Sequence, residues 1–190
     1  MMQNILSRPP TIETERLILR PLTMADDESI FASGSDPEVT RYVNFETHSS
    51  IEDARTFIRS VLDDYENHKP SSIGIELKVS GELIGTIGYI NWSEVHRHIE
   101  TGYAISKKYW NQGYITEALV GLINYLFTNS DLIRIEARCR IPNLASARVM
   151  EKAGMAFEGI LRKSAFAKGE YHDFKMYSII RDEWERENNY

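Results

Sequence analysis

The stretch from Gly102 to Leu119, GYAISKKYWNQGYITEAL, constrains the chain more than any other. An apolar strand end, Tyr103-Ala104-Ile105, runs into a polar, basic turn at Ser106, Lys107 and Lys108. The turn leads through Asn111, Gln112 and Gly113, and a helical period starts at once. Ile115, Ala118, Leu119, Leu122, Ile123, Leu126 and Phe127 recur three and four apart, which predicts a helix ending near Asn129 with one buried face. A strand feeding a helix through a loop leaves the helix's first N–H groups without intrahelical acceptors, beside the positive end of its dipole. Such an end can hold phosphate oxygens. Gly113 allows close backbone approach because it has no Cβ. Neither GxGxxG nor GxxxxGK followed by Ser or Thr occurs, so the signal is a bare strand–loop–glycine–helix, which elsewhere often only caps a helix.

Around this stretch the pattern is that of an α/β chain. Ile133, Ile135, Ala137, Cys139 and Ile141 alternate with Arg134, Glu136, Arg138 and Arg140, the cleanest strand signal present. Strand, helix and strand make a βαβ unit, which crosses over right-handedly. Upstream, Thr11–Pro21 reads as an edge or first strand through Leu17 and Leu19, followed by a helix capped by Thr23 with Ile30 and Phe31 inward. Asp36-Pro37 marks a turn. Ser50 can cap a surface helix whose apolar stripe is Ile51, Ala54, Phe57, Ile58, Val61, Leu62 and Tyr65. Two strands between Ile73 and Trp92 join at Ser80-Gly81, and the next runs from about His96 to Ile105. NLASARVMEKAGM, from Asn143 to Met155, reads as a short helix with Asn143 as N-cap, Val149 and Met150 on the buried face and Gly154 as C-cap. Two last strands flank Lys168-Gly169. With no repeat, low-complexity run or linker, residues 1–190 read as one α/β domain.

Composition narrows the function classes. A chain of 190 residues can bury a core without staples, and Cys139, its single cysteine, allows neither an internal disulfide nor a cysteine-based zinc site. No apolar run is long enough to span a membrane, and MMQNILSRPP lacks a signal peptide's apolar core, so a cytoplasmic protein is expected. The net charge of −6 argues against a nucleic-acid partner and for cationic acceptors.

The Gly102–Leu119 stretch resembles the acetyl-coenzyme A loop of the GNAT superfamily of N-acetyltransferases, closest to the branch of Rim-type ribosomal-protein N-acetyltransferases. The family's loop reads Gln/Arg-x-x-Gly-x-Gly/Ala. With its first glycine on Gly113, Trp110 and Ile115 stand at the flanking positions and depart from the pattern. Asn-x-x-Ser followed by Glu-Lys-x-Gly, from Asn143 to Gly154, matches the segment flanking the pantetheine arm, thirty positions beyond Gly113. The runs EGILR from Glu158 and GEYHD ending at Asp173 are also Rim-like, so the resemblance covers about Thr11 to Trp184.

The resemblance implies a mixed, mostly antiparallel sheet with helices on both faces, splayed between its fourth and fifth strands, where acetyl-CoA enters. Tyr103, Ala104 and Ile105 would offer backbone groups to the pantetheine, and Asn111, Gln112, Gly113, Tyr114, Ile115 and Thr116 would hold the pyrophosphate. Asn143, Ser146 and Met150 would flank the pantetheine arm. Lys107 and Lys108 could attract the nucleotide, or be merely solvated. No metal is implied, the acceptor is a primary amine on a small molecule or a protein N-terminus, and a homodimer is left open.

The chemistry sets its own demands. An amine attacks a thioester only when unprotonated, so the site must accept a proton, directly or through water. The oxyanion needs an N–H donor, and the leaving thiolate benefits from an acid. His96, His98 and Glu100 alternate before the loop and would share a face. Glu100 matches a residue Rim-like chains carry before Gly-Tyr, and is the candidate base or water-holder, with His98 and Glu136 behind it. Polar strand residues are also often only ion-paired, and His96-x-His98 could instead ligate a metal. Ser146 is the candidate relay to the thiol, or simply an early-helix polar residue. Cys139, among apolar strand residues, offers little for a covalent route. The reading is direct transfer of an acetyl group from acetyl-CoA to a primary amine; the alternative is a non-catalytic acyl-CoA-binding or regulatory module of the same fold.

Overall fold

In a computed structural model that describes Ile5 and residues 9–188, the segment Thr11–Pro21 forms two strands rather than one, β1 (Ile12–Glu13) and β2 (Leu17–Arg20). Thr14 makes the turn between them: its N–H donates to the Leu17 carbonyl at 3.0 Å and its hydroxyl accepts the Leu17 N–H at 3.2 Å. Most of MMQNILSRPP, the basis for expecting no signal peptide, lies outside the described residues.

The remaining strands are β3 (Ser72–Leu77), β4 (Leu83–Ser93), β5 (His98–Ile105), β6 (Arg134–Arg140), β7 (Ala156–Ala167) and β8 (Glu170–Ile180). They form one sheet in the order β1-β2-β3-β4-β5-β6-β8-β7, antiparallel throughout except for the β5–β6 pair. Because the first segment splits, the pair expected to be strands four and five is β5 and β6. The β3–β4 turn contains Gly81 at φ +70°, and the β7–β8 turn is Lys168-Gly169, both at positive φ, the tight geometry that fits the twist of a hairpin.

The helices are α1 (Asp27–Gly34), α2 (Pro37–Thr40), α3 (Ile51–Glu66), α4 (Tyr114–Asn129), α5 (Leu144–Lys152) and α6 (Arg181–Asn188). A 3₁₀ turn at Met24–Asp26 precedes α1, so Thr23 caps that turn instead of the α-helix itself. The α1 and α3 side of the sheet buries Leu22, Ile30, Ala54, Ile58, Val61 and Leu83. The opposite side carries the larger core, in which Leu119, Leu122, Ile123 and Leu126 of α4 meet Ile87, Ile99 and Ile135 of the strands. Burying an aliphatic side chain of this size stabilises a fold by about 1.5–3 kcal/mol, which seats α4 against β5 and β6. Arg181 fixes its far end by donating to the carbonyls of Phe127, Ser130 and Leu132 at 2.8–3.0 Å. Among the described residues no helix is long and apolar enough to cross a membrane.

Candidate active site

Parallel pairing of β5 with β6 runs from His98↔Arg134 to Thr101↔Ala137 and stops, although β5 continues to Ile105 and β6 to Arg140. The other edge of β5 stays paired with β4 through Ile105↔Gly85. Gly102 to Ile105 therefore have no strand partner on the β6 side, and the sheet forks there.

At the end of β5 the chain turns through Asn111 (φ +59°) and Gly113 (φ +81°) into α4. Left-handed backbone at Gly113 is strained for any residue with a Cβ. The first intrahelical bond, from the Glu117 N–H to the Gly113 carbonyl at 3.0 Å, leaves the preceding amides pointing out of the helix end. Asn111, Gln112 and Gly113 are exposed, whereas Tyr114 and Thr116 are half-buried and Ile115 lies in the core.

Arg16, 101 positions from its partner, was not legible as part of this loop. Its guanidinium is 2.6 Å from Glu117 of α4, donates to the Gln112 carbonyl at 3.1 Å and stacks 4.3 Å over the Tyr114 ring. It ties the loop and the start of α4 to the turn leading into β2, its charge balanced by Glu117. Lys107 and Lys108 pair instead with Glu38 and Glu82. Trp110 donates its indole N–H to the Ile105 carbonyl at 3.0 Å, which occupies one acceptor at the strand end.

On the α4–α5 side of the fork, the Tyr103 hydroxyl lies 3.0 Å from Ser146 Oγ and 3.1 Å from the Ser146 carbonyl. Burial pushes that phenol up from its ordinary pKa of 10.0, so it stays protonated at neutral pH. Asn143 caps α5, its side-chain oxygen accepting the Ser146 N–H at 3.1 Å. Burial also pushes the Cys139 thiol up to about 11, keeping it a thiol. Met150 has no exposed surface and belongs to the core.

On the other side stands Glu100, 4% exposed. A bulge between Tyr89 and Asn91 sets Asn91 opposite it, and Asn91 donates to Glu100 Oε2 at 2.8 Å. Arg138 of β6 is 2.8 Å from Oε1 as an ion pair but is not aligned as a hydrogen bond, so Oε1 is buried with no hydrogen-bond partner among the described residues. Parallel register explains the meeting: Glu100 is abreast of Glu136, and Arg138 is the next residue of β6 on that face. Glu136 itself pairs with Arg134 at 2.8 Å.

The histidines separate. His96 lies in the turn before β5, where the neighbouring Arg97 has φ +48°, so only His98 shares the strand face with Glu100. The His96 and His98 rings are 6.0 Å apart, and among the described residues no three metal-binding side chains cluster. The arrangement is thus a forked sheet with a helix start and Tyr103–Ser146 on one side, and a buried carboxylate on the other.

Known proteins share this fold. A family model described as Acetyltransferase (GNAT) domain matches residues 16–156. The uncharacterized N-acetyltransferase YoaA of Bacillus subtilis (strain 168) is 39% identical over 172 residues, 90% of this chain and 97% of its own. The ribosomal-protein-serine acetyltransferase of Escherichia coli (strain K12) is 32% identical over 101 residues, 53% of this chain and 56% of its own. The crystal structure of a GNAT-family acetyltransferase from Bacillus anthracis matches with a TM-score of 0.82 at 30% identity, covering 91% of this chain and 99% of that one.

Proposed function

The chain belongs to the GNAT family and is an acetyl-CoA-dependent N-acetyltransferase, and on that premise we propose that it passes the acetyl group directly to a primary amine brought to the Glu100 side of the fork. The observation that carries the reading is the end of β5–β6 pairing at Thr101↔Ala137, with a helix N-terminus on one side of the opening and a buried carboxylate on the other.

The residues divide the work in this reading. Unpaired backbone of Tyr103 meets the pantetheine, and the Ile105 N–H does so without its carbonyl, which Trp110 holds, whereas Ala104 turns its backbone groups to Thr86 of β4. The Asn111–Thr116 loop takes the pyrophosphate on backbone amides, with Arg16 holding the loop's shape through the Gln112 carbonyl. Ile115 and Met150 support it from the core instead of by exposed contact. Asn143 holds the first turn of α5 so that Ser146 faces the leaving sulfur, and the Tyr103 hydroxyl keeps Ser146 there.

Glu100 acts on the amine, directly or through a water. Its Oε1, ion-paired with Arg138 but without an aligned hydrogen bond, keeps acceptor capacity for the nucleophile or a bridging water. The balance is simple. The amine nitrogen forms a bond to the acetyl carbon, the carbon–sulfur bond breaks, the amine proton passes to Glu100 and on to solvent, and the thiolate takes up a proton from solvent through the Ser146 hydroxyl. A protein N-terminus, with an unperturbed pKa of about 8, asks less of the base than a lysine side chain at about 10.4. We place the enzyme in one domain and in the cytoplasm.

The test is a panel of amines with acetyl-CoA, including peptides beginning with serine, read by thiol release. Release that depends on one class of amine supports the reading. Tight acetyl-CoA binding with no release from any amine would leave only the binding module.

A further inference from the structure

Resting on the reading above, we propose that the acceptor amine carries an anionic group, a carboxylate or a phosphate, and that Arg140 binds it. Four charged residues share the Glu100 face of β6. Arg134 is paired with Glu136 and Glu158, and Arg138 with Glu100. Arg140 has no carboxylate among the described residues, yet it is only 8% exposed. Its one hydrogen bond is from Nη2 to the Val43 carbonyl at 3.4 Å, and its Nε is buried with no acceptor at all. A guanidinium has five N–H donors. Burying it without a counter-charge is costly, and buried charges in native proteins are normally paired.

A second cation reaches the same place. Lys168, in the β7–β8 turn, donates to the Thr40 carbonyl at 2.6 Å, so both cations converge on the short segment Thr40–Val43, one from β6 and one from that turn. Lys168 likewise has no carboxylate partner among the described residues. Of the two carboxylates at the start of β8, Asp173 is engaged by the Lys163 N–H at 2.7 Å. The other, Glu170, lies 3.7 Å from the His172 ring, so in a chain of net charge −6 these two cations still have no carboxylate partner among the described residues.

The position is right for an acceptor. Arg140 lies on the part of β6 beyond the last paired residue, Ala137, where the strands have parted. It is one same-face step past Arg138, the partner of Glu100, which is about 7 Å along a strand. An amine held at Glu100 would then have its anion a few bonds away, as in an acidic residue following an N-terminus or an ω-amino acid.

Matched pairs of acceptors test this: 4-aminobutanoate against 4-aminobutanamide, the peptide Ser-Glu-Ser amide against Ser-Gln-Ser amide, and O-phosphoethanolamine against ethanolamine. A charged hydrogen bond of the ordinary strength should favour the anionic member of at least one pair by about tenfold or more in kcat/KM. Which pair responds tells carboxylate from phosphate. Arg140→Gln should bring that ratio close to one, and Arg140→Lys should keep part of it. Acetyl-CoA should still raise the melting temperature of both variants, which reports that they fold. Ratios near one in every wild-type pair, or a preference that survives Arg140→Gln, would overturn the assignment. If no amine is acetylated, the proposed activity fails by itself. Arg140 is then judged by whether the anionic members still shift the melting temperature of the CoA-loaded protein, and do so only with the arginine present.

Discussion

The Tyr103 hydroxyl meets Ser146 Oγ at 3.0 Å across the open end of the sheet, joining β5 to the first turn of α5. Ser146 is thereby held by a side chain from the opposite strand and, through its N–H, by the Asn143 cap. Tyr103→Phe removes one neutral hydrogen bond, usually about 1 kcal/mol, so turnover should fall about three- to tenfold with acetyl-CoA affinity little changed. Ser146→Ala should lower kcat at least as much. Steady-state kinetics beside calorimetric titration with acetyl-CoA checks both. Equal losses in affinity and turnover would make the contact purely structural.

Gly113 has φ +81°, and a Cβ there would lie 3.5 Å from Arg16 Nη2. That contact is ordinary, so it is the positive φ that makes Gly113→Val strained and that should displace the loop amides. Acetyl-CoA should raise the melting temperature of the native chain, since a ligand that binds only the folded state stabilises it. Most of that shift should vanish in the variant. An undiminished shift in a folded variant would put the phosphates elsewhere.

Legible in the sequence were the features that depend on neighbours in the chain. The α4 period, Gly113, the Asn143 cap and the Lys168-Gly169 turn all follow from local spacing. Legible too, through the family resemblance, was the fork. The contacts that define the site are long-range. Arg16 reaches Glu117, Asn91 reaches Glu100 only because β4 bulges, and Arg138 reaches Glu100 only through the parallel register. Alternation assigned Arg134, Glu136, Arg138 and Arg140 to one face correctly, but it could not tell that Arg140 is covered by the Thr40–Val43 segment. His96 was misplaced for a local reason, since the turn ending at Arg97 delays the start of β5.

Acid stability should carry the mark of Glu158. Hydrogen bonds from Arg134 at 2.6 and 2.7 Å, with another from Ser178, hold its pKa near 2 against an ordinary 4.5, despite some opposing burial. A depressed folded-state pKa contributes stability that is present above the unfolded value and is lost as pH falls through the folded one. The pair's contribution should thus fade between about pH 4.5 and pH 2. Glu158→Gln should flatten that part of a melting-temperature profile. A profile identical to the native one would show the pair to be screened by solvent.

Cys139, with its thiol pushed up to about 11 mainly by burial, should resist iodoacetamide at pH 7.5 until the protein is unfolded. Cys139→Ala should retain turnover within a few-fold, as direct transfer requires. Loss of activity together with an acetylated cysteine in the native enzyme would establish a covalent route.

The pH–rate profile of the native enzyme against Glu100→Gln, with the best amine, tests most directly whether the amine is deprotonated on the Glu100 side of the fork. Glutamine keeps the size and can still contact Asn91, but it cannot take a proton. General-base removal typically costs about a hundredfold to ten-thousandfold. Expected is a loss of that order at low pH, where the amine is most protonated, shrinking as pH rises and the amine deprotonates unaided, with acetyl-CoA affinity unchanged. Near-native turnover across the whole profile would contradict it and leave Glu100 as the structural partner of Arg138.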